Sequence, residues 1–361
     1  MNANEVIASL VKLQSNGDIL VHPNDEVNLG QSSNDIIPSC IHLSAAMLID
    51  KELLPALKHL SMTMEEISQQ HHASIKTGRT HLMDAMPLSF AQEIGAWRAQ
   101  INFAYSELHN QLPNLCKLAI GGTAVGTGVN THPNFGIHVC KALSKDTGLN
   151  FTPASNLFRA ISSQDTAVSL SGTLKTTAVS LTKITNDIRW LSSGPLNGLN
   201  EIELPEYQKG SSIMPGKVNP VLPEAILMAC TQVIGNDTTI TLAGQSGNFQ
   251  LNTMLPLIAH TIVQSIQLLS GCCSTLSDKV IKDLIVNKGK LNENVSKNPI
   301  LATALASLIG YDKCAEIAHK AFQENRTVID VAKELTDIDE SELIERLDPN
   351  RLVTPNYKED I

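Results

Sequence analysis

From Thr238 to Ser277 the chain carries no Asp, Glu, Lys or Arg. Gln245, Asn248, Gln250, Asn252, Pro256, His260 and Gln264 interrupt it. It therefore falls short of the roughly 20 consecutive apolar residues that a membrane span requires. Helices without charge on any face are usually buried all round. In a chain of 361 residues, uncharged helices in this quantity predict burial against other subunits. Segments 35–67, 86–112, 161–193 and 221–243, rich in Ala, Leu, Ile and Ser with few breakers, also read as long helices. Strand signals are sparse. The pattern predicts a mostly α protein with a bundle of long central helices. After Gly310-Tyr311-Asp312-Lys313 charges return and the helices shorten, with capping-box patterns at Thr327-x-x-Asp330 and Asp339-x-x-Glu342. This predicts a small solvated helical domain over 309–361, ending in a loose tail from Tyr357 to Ile361. There is no internal repeat and no low-complexity tract.

Composition narrows the partners. A chain of 361 residues can bury a sizeable core. A net charge of −9 argues against nucleic acid, because phosphate binding needs a basic face. Any anionic substrate must then be drawn by local cations. The seven cysteines include no C-x-x-C pair, and adjacent Cys272-Cys273 is a poor metal clamp. Reduced thiols in a cytosol-like compartment are the simpler reading. Met1-Asn2-Ala3-Asn4-Glu5 lacks the basic and apolar regions of a signal peptide.

The densest chemistry lies in Gly210-Ser211-Ser212-Ile213-Met214-Pro215-Gly216-Lys217-Val218-Asn219-Pro220. Two hydroxyls, an ammonium and an amide sit on a stretch broken by Gly and Pro, directly before a long apolar run. Pro220 and Pro223 suit the first turn of a helix, where a missing N–H costs nothing. The free N–H groups and positive dipole end of that helix would face the same anion that Lys217 and Asn219 reach. Taken singly, Lys217 reads first as a solvated lysine on a surface turn, and Ser211 first as a hydroxyl that caps the following turn.

The whole string resembles the G-S-S-x-M-P-x-K-x-N-P loop of the fumarase/aspartase superfamily. Three further blocks resemble class II fumarases in the same order: His22-Pro23-Asn24-Asp25 running into Gln31-Ser32-Ser33-Asn34-Asp35; Gly78-Arg79-Thr80-His81; and Gly121-Gly122-Thr123-Ala124-Val125-Gly126-Thr127-Gly128 with Asn130-Thr131-His132-Pro133. The resemblance covers nearly the full length. It implies a long central helix bundle of the fumarase type over residues 31–308 and a homotetramer whose active sites are shared among subunits. It also implies a small dicarboxylate substrate, fumarate or L-malate, and no metal or other cofactor.

Hydration of fumarate, or its reversal, requires a proton to leave carbon 3 of malate beside a carboxylate, so a carbanion with concentrated negative charge must be stabilised. Preorganised cations and N–H groups do this. Lys217, Asn219 and the amides around Ser211 and Ser212 are the candidates. The resemblance assigns the base to Ser211, which can serve only if loop amides and a nearby cation stabilise its alkoxide. On the acid side, His81 and Glu224 match a His–carboxylate pair that fixes the tautomer and lets the imidazole deliver a proton. Ser32, Ser33, Asn34 and Thr80 match residues that bind substrate carboxylates or a catalytic water. Asn34, before a helical run, also reads as a cap. His22, Asn24 and Asp25 match a secondary anion site, although His-Pro-Asn-Asp is also an ordinary turn.

Several positions depart from the family. Pro205-Glu206-Tyr207-Gln208-Lys209 stands where Pro-Glu-Asn-Glu-Pro is usual, Asn156-Leu157-Phe158-Arg159 where N-K-F-E is common, and Leu255 where a basic residue precedes Pro256. Leu199-Asn200-Glu201-Ile202 and Pro220-Val221-Leu222-Pro223-Glu224 lean toward aspartases, which keeps ammonia addition open. Met1-Asn2-Ala3-Asn4-Glu5-Val6 resembles the phrase that follows a G-S-G-T segment closing the family's N-terminal domain. The expectation is that residues 1–30 are a remnant of that region and an entry loop, which leaves a truncated, catalytically weak homologue as a further reading.

Overall fold

The computed structural model describes residues 1–208 and 210–354, so Lys209 and the expected tail from Tyr357 lie outside the described residues. It is mostly helical. In chain order come α1 (Asn2–Gln14), α2 (Ser33–Leu48), α3 (Leu54–Gln70), the hairpin strands β1 (Ile75–Thr80) and β2 (Met83–Ser89), and α4 (Phe90–Leu115). The short strand β3 (Lys117–Leu118) precedes α5 (Phe135–Thr147), β4 (Thr152–Pro153), α6 (Leu157–Ser162) and α7 (Asp165–Leu191). Then follow β5 (Ile202–Glu203), α8 (Val221–Gly244), α9 (Leu255–Thr275), β6 (Ile285–Val286) and α10 (Lys288–Ser296).

Two expected helices change at their edges. The segment expected to start at 86 begins instead at Phe90, because Met86 to Ser89 finish a strand; Gly78 and Pro87, both poor strand residues, hide this hairpin from propensity. The run expected from 161 is split after Ser162: Asn156 caps α6, its side chain accepting from the Arg159 N–H, and a new helix starts at Asp165. The segment expected over 35–67 is α2 and α3 joined by a wider turn at Ile49–Leu53.

The chain divides into two compact units. The first comprises Met1–Lys58, Ile101–Thr182 and Ile226–Ser274, and the second His59–Gln100, Lys183–Ala225 and Thr275 onward. Within the first, bundle helices are joined by polar pins. Asp237 on α8 accepts the Ser171 hydroxyl of α7 at 2.8 Å and pairs with Lys175 at 2.5 Å. Asn236 Nδ2 donates to Ser265 Oγ of α9 at 2.9 Å. Such bonds fix the register of otherwise interchangeable apolar helices. Helical segment Leu255–Ile281 has a mean hydropathy of 1.3, enough by length and composition to cross a bilayer. Its Ile258, Ile262, Ile266 and Leu269 are nonetheless buried within the chain, as in a core helix.

Within the second unit, Trp97 is fully buried on α4 and donates from Nε1 to Asp187 Oδ2 at 3.0 Å. The C-terminal helices α11 (Ala306–Ile309), α12 (Tyr311–Glu324), α13 (Val328–Leu335), α14 (Glu340–Leu347) and α15 (Pro349–Leu352) share a cluster of Leu305, Ile317, Val331 and Leu343. Thr327 caps α13 by accepting from the Asp330 N–H, as its motif predicts. At α14 the pattern is corrected: Asp339 caps by accepting from Ser341, so Glu342 is not the partner expected.

Candidate active site

The first unit carries Ser32, Ser33, Asn34, His22, Asn24 and Asp25. Ser32 is the cap of α2: its Oγ accepts from the Asn34 N–H at 3.2 Å, and its own N–H donates to Asp35 Oδ1 at 3.1 Å. This corrects the expectation for Asn34, which lies inside the first turn and turns its Nδ2 to the Ala124 carbonyl at 2.8 Å. Ser33 is exposed at the helix start. Asp35, fully buried, accepts from the N–H groups of Gly121 and Thr123 at 3.0 and 2.9 Å, and so ties the serine segment to the glycine-rich loop.

His22 Nδ1 accepts from the N–H groups of Asn24 and Asp25, both at 3.3 Å, so this block is an ordered turn. Asn24, Asp25 and Ser32 line one cleft of about 590 Å³ together with Thr123 and Asn130. The structure thus brings two of the three secondary-site residues beside a substrate-site candidate.

The second unit carries Thr80, His81, Ser211, Lys217, Asn219 and Glu224. Thr80 closes β1 and pairs with Met83, which leaves His81 and Leu82 as an exposed two-residue turn. Both have positive φ, +54° and +61°. In the loop, the Ser211 N–H donates to the Lys217 carbonyl at 3.0 Å, folding the segment back on itself. A Cβ at Gly210 would stand 2.2 Å from that carbonyl oxygen, so only glycine fits there. Ser211 Oγ accepts from the N–H groups of Ile213 and Met214 at 3.2 and 3.1 Å. The hydroxyl is therefore the capping group that one reading predicts, and the same amides are aimed at the oxygen that would become an alkoxide. Lys217 and Asn219 are exposed and line a cavity of about 420 Å³ with Glu203, Glu206 and Tyr207.

Glu224 lies in the first turn of α8, half-buried, with Arg189 Nη2 at 3.7 Å from its Oε1. Among the described residues no hydrogen bond or ion pair within the chain joins Glu224 to His81. Asp35 bonded to the glycine-rich loop, Arg189 beside Glu224 and Glu201 paired with Arg79 are neighbours of the candidate residues that the sequence reading did not single out. Asp35 had a usable signal, its place three residues after Ser32 in a capping box. Arg189 and Glu201 had none, since their partners are distant in sequence. Among the described residues no group of three or more His, Cys, Asp or Glu side chains is placed to hold a metal.

Ser211 under loop amides, His81 on a hairpin turn and Glu224 at a helix start lie in a mostly helical chain, and its family matches make it a lyase. The family described as "Lyase" matches residues 1–235, and that described as "Fumarase C C-terminus" matches residues 301–354. A class II fumarate hydratase of Pseudomonas aeruginosa is 56% identical over 352 residues, covering 98% of this chain and 76% of the relative. One from Xylella fastidiosa is 53% identical, covering 98% and 74%. The class II fumarase structure from Schistosoma mansoni superposes with a TM-score of 0.94 at 38% identity, covering 99% of this chain and 78% of that one. The chain belongs to the class II fumarate hydratase family.

Proposed function

We propose that the protein is a fumarate hydratase that interconverts fumarate and L-malate by anti addition and elimination through a carbanion. The observation that carries this is the pair of N–H groups, Ile213 and Met214, directed at Ser211 Oγ. Serine is too weak a base at neutral pH unless its alkoxide is stabilised; the two amides supply part of that stabilisation, and the Lys217 ammonium on the same loop is the cation assigned to the rest. In the dehydration direction Ser211 takes the proton from carbon 3, and the electron pair left there spreads into the adjacent carboxylate. Expulsion of the hydroxyl from carbon 2 then follows, protonated from the side of His81, with Glu224 orienting the imidazole. Ser32, Ser33, Asn34, Thr80, Lys217 and Asn219 hold the substrate carboxylates and the water, and His22, Asn24 and Asp25 form a secondary anion site. The sites are shared among the subunits of a homotetramer, with 309–361 as a separate small helical domain. The seven free cysteines support a reducing, cytoplasmic setting.

Fumarate loss in water, followed by its ultraviolet absorbance, tests the reading. Turnover without ammonium and without added metal is expected; turnover only with ammonium would assign an aspartate ammonia-lyase, the reading that Leu199-Asn200-Glu201-Ile202 favours. Ser211→Ala lowers kcat by about 10²-fold or more at nearly unchanged stability. A fully active Ser211→Ala chain would remove Ser211 as the base.

A further inference from the structure

The turn that presents His81 is strained. A two-residue hairpin loop with both residues at positive φ is ordinarily built from Asn-Gly or similar pairs, because a Cβ at such φ meets the backbone. Here the loop is His81-Leu82, with φ of +54° and +61°. Strain of this kind persists only where surrounding structure over-determines it, and it gathers at functional sites.

A buried ionic cluster stands two residues upstream. The Glu201 side chain is 0% exposed, and its carboxylate meets Arg79 Nη2 at 2.5 Å through Oε1 and Lys76 Nζ at 3.0 Å through Oε2. Lys76, 2% exposed, also meets Glu93 Oε2 at 2.7 Å. The backbone of Glu201 is held on both sides: its N–H donates to the Leu191 carbonyl at 2.8 Å, and its carbonyl accepts from Asn287 at 2.9 Å. Glu201 is therefore a fixed anchor, and both cations it grips lie on β1.

The pairing of β1 with β2 slips between Thr77 and Arg79, and a Cβ at Gly78 would lie 2.5 Å from the Met86 carbonyl oxygen. A bulge re-aims the strand end beyond it. Lys76 lies before the bulge and Arg79 after it, so one carboxylate clamps both sides of the slip and leaves the register Arg79 to Asp84 and Thr80 to Met83 a single choice.

We propose that Glu201 is a positioning residue for the reaction: through Lys76 and Arg79 it holds the bulged hairpin so that the strained His81-Leu82 turn presents Thr80 and His81 in the reactive geometry. This rests on the reading in which His81 serves proton transfer. Glu201 does not itself touch the reacting atoms. A misplacement of about 1 Å at a reacting group costs up to about 10²-fold in rate, so a clamp of this kind shows in kcat rather than in stability alone.

The test uses the full chain with Glu201→Gln, which keeps shape and removes charge. Amide hydrogen exchange in Arg79 to Asp84 should rise about 10-fold or more while α9 stays protected. The rate constant kcat should fall about 10-fold or more, and the acid limb of kcat/KM against pH should move. Adding Leu82→Gly, which accepts positive φ without strain, should recover part of that kcat. Unchanged turn exchange overturns the proposal, and so does protection lost throughout the chain with no rescue by Leu82→Gly. Should Glu201→Gln fail to fold, Arg79→Lys, which keeps the charge and loses the planar fork, carries the same readouts with the same expected and overturning results. A wild-type chain that never turns over fumarate would sink the functional reading, while the exchange measurement still decides the role of Glu201.

Discussion

The carboxylate of Asp35 accepts the backbone N–H of Thr123 at 2.9 Å, and through that bond the first turn of α2 holds the glycine-rich loop. The same group accepts from Gly121 at 3.0 Å and from Ser32 at 3.1 Å, and it is fully buried. Three N–H donors and the positive end of a helix take the place of a cation. Asp35→Ala would leave these donors without an acceptor, each buried one costing about 1–3 kcal/mol. A stability loss of about 3 kcal/mol or more is expected, read as a fall in the urea midpoint at fixed protein concentration. Asp35→Asn, with one acceptor oxygen left, should lose less. An Asp35→Ala midpoint equal to wild type would show that the loop holds itself.

How far the sequence could lead depends on whether a group's partner is local. Thr327 and Asp330 are three residues apart and their cap is read from that spacing; Ser32 and Asp35 stand at the same spacing, although the sequence reading put the cap at Asn34. The charge-free run from Thr238 to Ser277 predicted buried helices because the absence of charge is itself a local fact, and α9 buries Ile258, Ile262, Ile266 and Leu269 within the chain; the burial against other subunits expected of the run remains a proposal. The hairpin over 75–89 was hidden, since Gly78 and Pro87 suit a bulge and not a regular strand. The role of Glu201 was hidden more deeply. Arg79 lies 122 residues away, and nothing short of the fold reveals that the two meet. The chemistry at Ser211 is intermediate: the residue types suggested an anion loop, whereas the direction of the Ile213 and Met214 amides needed coordinates.

His42 gives the protein a built-in sensitivity to acid. Burial holds its imidazole below the ordinary histidine value, an effect that outweighs its 2.9 Å bond to the Lys117 carbonyl and the nearby charge of Asp165; the Arg159 guanidinium pushes the same way as burial. His71 is shifted downward too, by burial and then by Lys288. The unfolded chain then takes up these protons more readily than the folded one. Stability from these groups is complete above the unfolded value, about pH 6.5, and is lost as the pH falls through it toward the lower folded value. The denaturant midpoint should therefore drop between about pH 7.5 and about pH 5.5. His42→Gln, which keeps a donor for the Lys117 carbonyl, should flatten that slope. A slope as steep as wild type in His42→Gln would exclude His42 as a source.

The apolar surface of α8 and the turn that follows argues for assembly. Met228 is 69% exposed, on the uncharged part of α8 between Glu224 and Asp237, and Leu242 at 55% and Phe249 at 93% lie in the stretch with no charged residue from Thr238 to Ser277. Scattered single apolar residues on a surface need no explanation, but several on uncharged segments form a surface that water covers at a cost. The proposed homotetramer, built on the central helices, would remove it. Light scattering at micromolar concentration should give four times the chain mass, and the unfolding midpoint should rise with protein concentration, because a bound partner stabilises only the folded form. Met228→Glu places a carboxylate where a neighbouring helix is expected, and the cost of desolvating an unpaired charge should dissociate the assembly while leaving each chain's helices in place by circular dichroism. If wild type is instead a stable monomer at that concentration, and Met228→Glu changes nothing, the uncharged faces serve some purpose other than contact between copies, and sites shared among subunits must be abandoned.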